Sequence, residues 1–185
     1  MPRIPAITTR DQVPTDGQAA FDYVVASRGF ARSPFNIMLY SPEFAQRVAH
    51  LGAHVFELPI PHALRRIAIL AAVRENDCNY EWGVWTAAPP EEGLRPEVIG
   101  LIADRAPLSA FTDEEAVIVR FVRELLNDKW VSQPTFDAAR AIFGDQGLVE
   151  VVGAIGYFTM IGLTMNCFEI ESLPQHKSPP PWKST

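Results

Sequence analysis

The chain has 185 residues, 48% of them apolar and 21% charged. That composition excludes a disordered or fibrous chain and fits one domain of ordinary size. The net charge is −6 with no cluster of basic residues, which argues against a nucleic-acid partner. Proline is in excess, 16 residues of 185, and its positions decide between an all-β chain and a punctuated helical one.

The N-terminus, Met1-Pro2-Arg3-Ile4-Pro5, has no apolar core of the signal-peptide kind, and residues 1–15 read as an extended arm. Two cysteines, Cys78 and Cys167, lie far apart in the chain. Without a secretory signal they are expected to be reduced thiols in a cytoplasmic protein. Asp16 opens a helix that runs to Arg28 and closes at Gly29, with Ala20, Phe21, Val24 and Val25 along its apolar stripe. Ser41-Pro42-Glu43 combines a capping Ser, a Pro at the first helical position and an acid in the first turn. The helix it opens runs to about Glu57.

Pro59 and Pro61 then punctuate the chain, and a third helix is predicted over 62–75. A fourth, Cys78 to Ala87, is stopped by Pro89-Pro90. Arg95-Pro96-Glu97 opens a fifth, ending near Ala103. Thr112-Asp113-Glu114-Glu115 is a capping box, and it starts an amphipathic helix to about Asp128. Pro134 to Phe143 is the seventh helix, closed by Gly144. The eighth, about 146–169, carries no charge from 151 to 165 and is expected to be buried on all sides, as a core or interface helix more readily than a membrane span. Strand alternation is absent. The fold class is therefore all-α: one helical domain over 16–171 of about eight helices, between an N-terminal arm, 1–15, and a Pro-rich C-terminal arm, 172–185. Trp182 in that second arm favours a strap against a neighbouring subunit over a solvated tail.

The densest chemistry lies between Arg65 and Trp85. On a helix, Cys78, Glu81, Trp82 and Trp85 share one face at i, i+3, i+4 and i+7. A carboxyl between two indoles and a thiol is desolvated, which raises its pKa and suits it to acid–base work near neutral pH. The alternative is a plain core helix whose Glu81 pairs with an arginine. Of the four histidines, His50 and His54 form an i, i+4 pair. No third ligand stands at helical spacing, so no metal is expected; His54 is kept as a candidate pocket residue.

Arg65-Arg66-Ile67-Ala68-Ile69-Leu70, a short gap, then Tyr80-Glu81-Trp82 resembles the carboxymuconolactone decarboxylase family, within the alkyl hydroperoxidase D superfamily. Ser33-Pro34-Phe35-Asn36 and Ser41-Pro42-Glu43-Phe44 are similar to its N-terminal part. Thr135-Phe136, Phe143-Gly144, Gly147-Leu148-Val149 and Gly156-Tyr157 are similar to its C-terminal part, so the resemblance covers about residues 25–170. It implies an all-α fold assembling as trimers or hexamers, with the last long helix buried. In the hydroperoxidase branch a Cys-x-x-Cys pair and a His do the chemistry. Here Cys78 matches the first Cys, Glu81 stands at the second, and Trp85 stands at the His. One thiol on a helix cannot close a disulfide cycle. In the decarboxylase branch a His follows Tyr-Glu-Trp and a Glu follows the Arg; here those places hold Trp85 and Arg66.

The function expected from residues and resemblance together is acid–base decarboxylation, or isomerisation, of a small carboxylated lactone from aromatic breakdown. Glu81 would move the proton, Arg66 would grip the substrate carboxylate bidentately and Tyr80 would donate to the enolate oxygen. Cys78, Trp82, Trp85, Arg65 and His54 would line the site, with no cofactor and no metal. The alternatives are an antioxidant member with a degenerate Cys-x-x-Cys site and a non-catalytic ligand-binding or scaffold subunit.

Overall fold

The structure is a computed structural model and describes residues 2–89 and 91–172. The C-terminal arm, with Trp182, lies outside the described residues beyond Ser172. Among the described residues there are eight α-helices and no strand. These are α1 (Gln18–Arg28), α2 (Phe35–Met38), α3 (Pro42–Phe56), α4 (His62–Glu75), α5 (Asn79–Ala87), α6 (Pro96–Ala103), α7 (Asp113–Arg123) and α8 (Gln133–Cys167). The all-α expectation holds, and most helix starts fall where proline or a cap places them.

Contacts group the described residues into two compact units, 2–57 with 164–171, and the described residues of 58–163 with Ser172. In the first unit, α1 packs on α3. Gly17 makes that approach possible: a Cβ there would lie 2.5 Å from Cγ of Pro42. Gly29 closes α1 in the left-handed region, φ 83°, which glycine adopts without steric cost. The N-terminal arm is held by its own unit. The Ile7 N–H donates to the Asn36 carbonyl at 2.9 Å, and the Tyr40 hydroxyl to the Pro5 carbonyl at 3.0 Å. The Arg28 guanidinium donates to the Ala49 carbonyl and lies over the rings of Phe35 and Phe56. His50 stacks on Tyr23 with ring centroids 4.0 Å apart, and His54 is exposed on α3.

In the second unit, α4 is the central helix, with α5, α6 and α7 packed on it. Every residue from Ala63 to Arg74 is buried, including Arg65, Arg66 and Arg74. Within the single chain α8, expected to be a core or interface helix, is covered on one side only. Val149, Val152 and Leu163 are 73%, 42% and 57% exposed, while Val151, Ala154, Ile155, Phe158 and Ile161 are buried. α8 has the length and apolarity of a membrane span, with a mean hydropathy of 1.7 and half of that window buried in protein. It is also broken once. Gly144 has φ 67° and ψ −179°, a conformation open in practice to glycine alone, so the two helices expected on either side of it meet in a kink. The Arg140–Asp145 ion pair spans the break. α7 begins with its capping box intact: the Thr112 hydroxyl accepts from the Glu115 N–H at 3.4 Å, and Glu115 accepts from the Thr112 N–H at 3.0 Å. It widens after Arg123 into a single π-turn, Glu124–Asp128.

Candidate functional site

The segment from Arg65 to Trp85 lies entirely in the second unit, on α4, the elbow after it, and α5. Cys78 is the N-cap of α5 and Glu81 stands in its first turn. Cys78, Tyr80, Glu81, Trp82 and Trp85 are all buried. Cys78 thus stands just outside the helix in an extended conformation, and α5 is buried around most of its circumference, Tyr80 and Gly83 included. The Trp85 ring meets Phe158 of α8 edge to face, centroids 5.2 Å apart, and Phe158 meets Tyr157 in the same way at 5.1 Å.

Two positions of α8 complete this wall. Thr159 Oγ1 accepts from Asn76 Nδ2 at 3.1 Å. A Cβ on Gly162 would lie 3.2 Å from Cβ of Cys78 and 3.5 Å from Cβ of Asn76. The missing side chain at Gly162 thus lets α8 reach the elbow between α4 and α5. Phe158, Thr159 and Gly162 were not singled out from sequence. Their i, i+1, i+4 spacing on an apolar helix carries no chemical signal, and only the α5 partner gives it meaning.

Burial sets the chemistry of the thiol. Desolvation pushes Cys78 up to about 12; hydrogen bonds from the backbone of Glu81 and Tyr80 oppose the shift and are outweighed, and the charge of Glu81 adds to it. At neutral pH this sulfur is a protonated, apolar contact and not a nucleophile. Cys78 and Cys167 are both free thiols.

Arg66 is engaged differently from the carboxylate clamp expected of it. Its Nη2 donates to the carbonyls of Trp85 at 2.6 Å and Ala88 at 2.9 Å, and its Nη1 to that of Pro89 at 2.6 Å. These carbonyls lie at and just beyond the C-terminal end of α5, where a helix leaves its last acceptors unpaired. Both edges by which a guanidinium grips a carboxylate bidentately include Nη2, whose two hydrogens are committed here. The correction is physical: the sequence shows a charge beside the motif, while the acceptors that claim it become visible only once α5 ends against α4. The Nε–H of Arg66 is buried without a hydrogen-bond partner. Arg65 is buried one position earlier on α4. Among the described residues no three of His, Cys, Asp and Glu gather as metal ligands.

No family model matches the chain, and comparison with curated proteins returns no match. Its backbone is similar to a crystal structure from Agrobacterium tumefaciens, solved as a protein of unknown function and described as a candidate antioxidant defence protein, AhpD. The TM-score is 0.66 with 21% identity, over 76% of this chain and 97% of that one. The fold is accordingly the all-α fold of the alkyl hydroperoxidase D type.

Proposed function

We propose that this protein performs acid–base chemistry on a small carboxylated molecule of the lactone type, with Glu81 as the group that moves the proton. The observation that carries the reading is a carboxyl buried in the first turn of α5, beside a thiol that burial holds protonated. In the decarboxylation, the bond from the ring carbon to the carboxylate breaks, carbon dioxide leaves, and the electron pair spreads onto the lactone carbonyl as a dienolate. The protonated form of Glu81 gives its proton to carbon and is recharged from solvent, so one proton is consumed per carbon dioxide released. Tyr80 donates to the developing oxyanion. With Nη2 fully committed and Nη1 bound to Pro89, Arg66 contributes chiefly by holding the end of α5 and Trp85. Its Nε–H is left to make a single hydrogen bond to the substrate carboxylate. Isomerisation needs the same proton moved beside the same carbonyl.

The described neighbour brings a second reading, an antioxidant role. The burial of Cys78 weighs against a thiol-based version of it. The proposal also includes a cytoplasmic homo-oligomer, trimer or hexamer, which light scattering on the purified chain would size. The test of function is incubation of the full chain with a panel of carboxylated muconolactones, reading carbon dioxide release and ring absorbance. Turnover above the uncatalysed rate supports the reading. A panel that stays inert in both signals, with proton exchange at the ring carbon also absent, overturns it.

A further inference from the structure

The backbone between α4 and α5 turns through three residues, Asn76, Asp77 and Cys78, and Glu81 follows within one turn of α5. Asp77 is in the left-handed region, φ 48°. Asp adopts this conformation more readily than most residues other than glycine, and here charged neighbours also hold its side chain. Two arginines converge on it: Asp77 Oδ1 accepts from Arg74 Nη1 at 2.8 Å and from Arg105 Nη2 at 3.1 Å. Arg105 is itself left-handed, φ 49°, just past the end of α6. The same Nη2 donates to the Arg74 carbonyl at 3.0 Å, and its Nε reaches Glu75 Oε2 at 3.4 Å. Arg74 Nε in turn donates to the Ala103 carbonyl at 2.8 Å. Glu75 also meets Arg123 at 3.7 Å and Asn127 at 3.3 Å. On the other side of the elbow stand the Asn76–Thr159 hydrogen bond and the close approach of Gly162 to Cys78.

We infer that Asp77 and Arg105 are positioning residues: their ionic clasp, tying the end of α6 to the elbow, fixes where α5 begins and so where Glu81 sits. The catalytic consequence rests on the role proposed for Glu81; the clasp itself does not. The alternative is an ion pair that adds only to global stability. Cys78, the residue after Asp77, reports on the difference because it is buried and its thiol reacts only when the elbow opens.

The experiment uses the full chain carrying Cys167→Ser, so that Cys78 is its single thiol. Labelling by dithiobis(nitrobenzoate) is timed in native buffer, and the urea midpoint is measured in parallel. Asp77→Asn and Arg105→Gln are compared with Thr112→Ala, which weakens a cap away from the elbow. The inference expects labelling about tenfold faster or more in both elbow variants at urea midpoints near that of Thr112→Ala, with Arg105→Lys returning part of the protection. Labelling that tracks the urea midpoint equally in all variants overturns it. If Arg105→Gln does not fold, Asp77→Asn and Arg105→Lys decide the question alone. On any carboxylated lactone that the parent turns over, the elbow variants lower kcat with little change in KM. If the parent turns over none, the role of Glu81 fails while the thiol result still judges the clasp.

Discussion

Cys78 and Gly162 show how tightly single residues define the site. The thiol has no exposed surface and its pKa is pushed up to about 12, so at pH 7 its thiolate fraction is negligible. In the Cys167→Ser chain, added peroxide is expected to consume no thiol until denaturant is present; rapid loss under native conditions would contradict the burial. Gly162 lies close to Cys78: an added methyl would meet Cβ at 3.2 Å, tight enough that the neighbour must give by a few tenths of an ångström. Gly162→Ala is expected to cost about 1 kcal/mol in urea unfolding, an overpacking penalty of roughly 1–3 kcal/mol offset by about 1 kcal/mol of helix propensity. A neutral result would mean that α8 can shift away from α5. At this scale the burial expected of Glu81 between apolar neighbours was legible: Cys78, Glu81, Trp82 and Trp85 are all buried, although Cys78 caps α5 in an extended conformation and does not lie on it. It was not legible for Arg66. A guanidinium beside a motif reads as a substrate clamp, but the carbonyls of Trp85, Ala88 and Pro89 have no signature of their own.

Helix ends were read more securely than helix faces. Pro42 and Pro96 stand in the first helical turn, Pro61 caps α4, and Gly29 closes α1. The Thr112–Glu115 box appears as written in the sequence, and Arg95 adds to it with two bonds to the Glu115 carboxylate, at 2.7 and 2.9 Å. The Arg95 hydrogen bonds hold the Glu115 carboxyl below the usual carboxylate range, against an opposing desolvation. A depressed pKa stabilises the folded chain above the unfolded value, and that contribution is lost as pH falls through the folded one. Melting temperature is therefore expected to fall below about pH 4 partly through this group. Glu115→Gln would flatten that fall; an unchanged acid limb would show that the pair contributes nothing. Thr112→Ala is expected to cost about 1 kcal/mol. Several features escaped the sequence: the single turn α2, the π-turn after α7, the 3-10 turns Arg10–Gln12 and Thr15–Gly17 in an arm expected to be extended and Leu108–Ala110 before α7, and the central place of α4. The last has a clear cause. Three arginines on α4 carry no sequence signal for burial, since the acceptors of Arg66 and Arg74 come from distant segments, whereas the uncharged run of α8 leaves Val149, Val152 and Leu163 open in the single chain.

For the whole molecule, the proline excess that left an all-β chain open is, among the described residues, compatible with an all-α fold: Pro42, Pro61, Pro96 and Pro134 stand at helix starts. Sequence punctuation also fell at the boundary between the two compact units, after Glu57, where Pro59 and Pro61 follow. It was read there as a plain connection, because apolar periodicity does not tell which helices will share a core. Neighbouring folds of this type do not settle what the chain does, since 21% identity transmits architecture and not the identity of reacting groups. The proposed acid–base role rests on the buried carboxyl of Glu81 in the first turn of α5. The most direct measurement is kcat/KM for decarboxylation of one carboxylated lactone by the parent chain and by Glu81→Gln, both folded by circular dichroism. The proposed role predicts a loss of about a hundredfold or more, the scale of a general acid. Equal rates in the two proteins would contradict it.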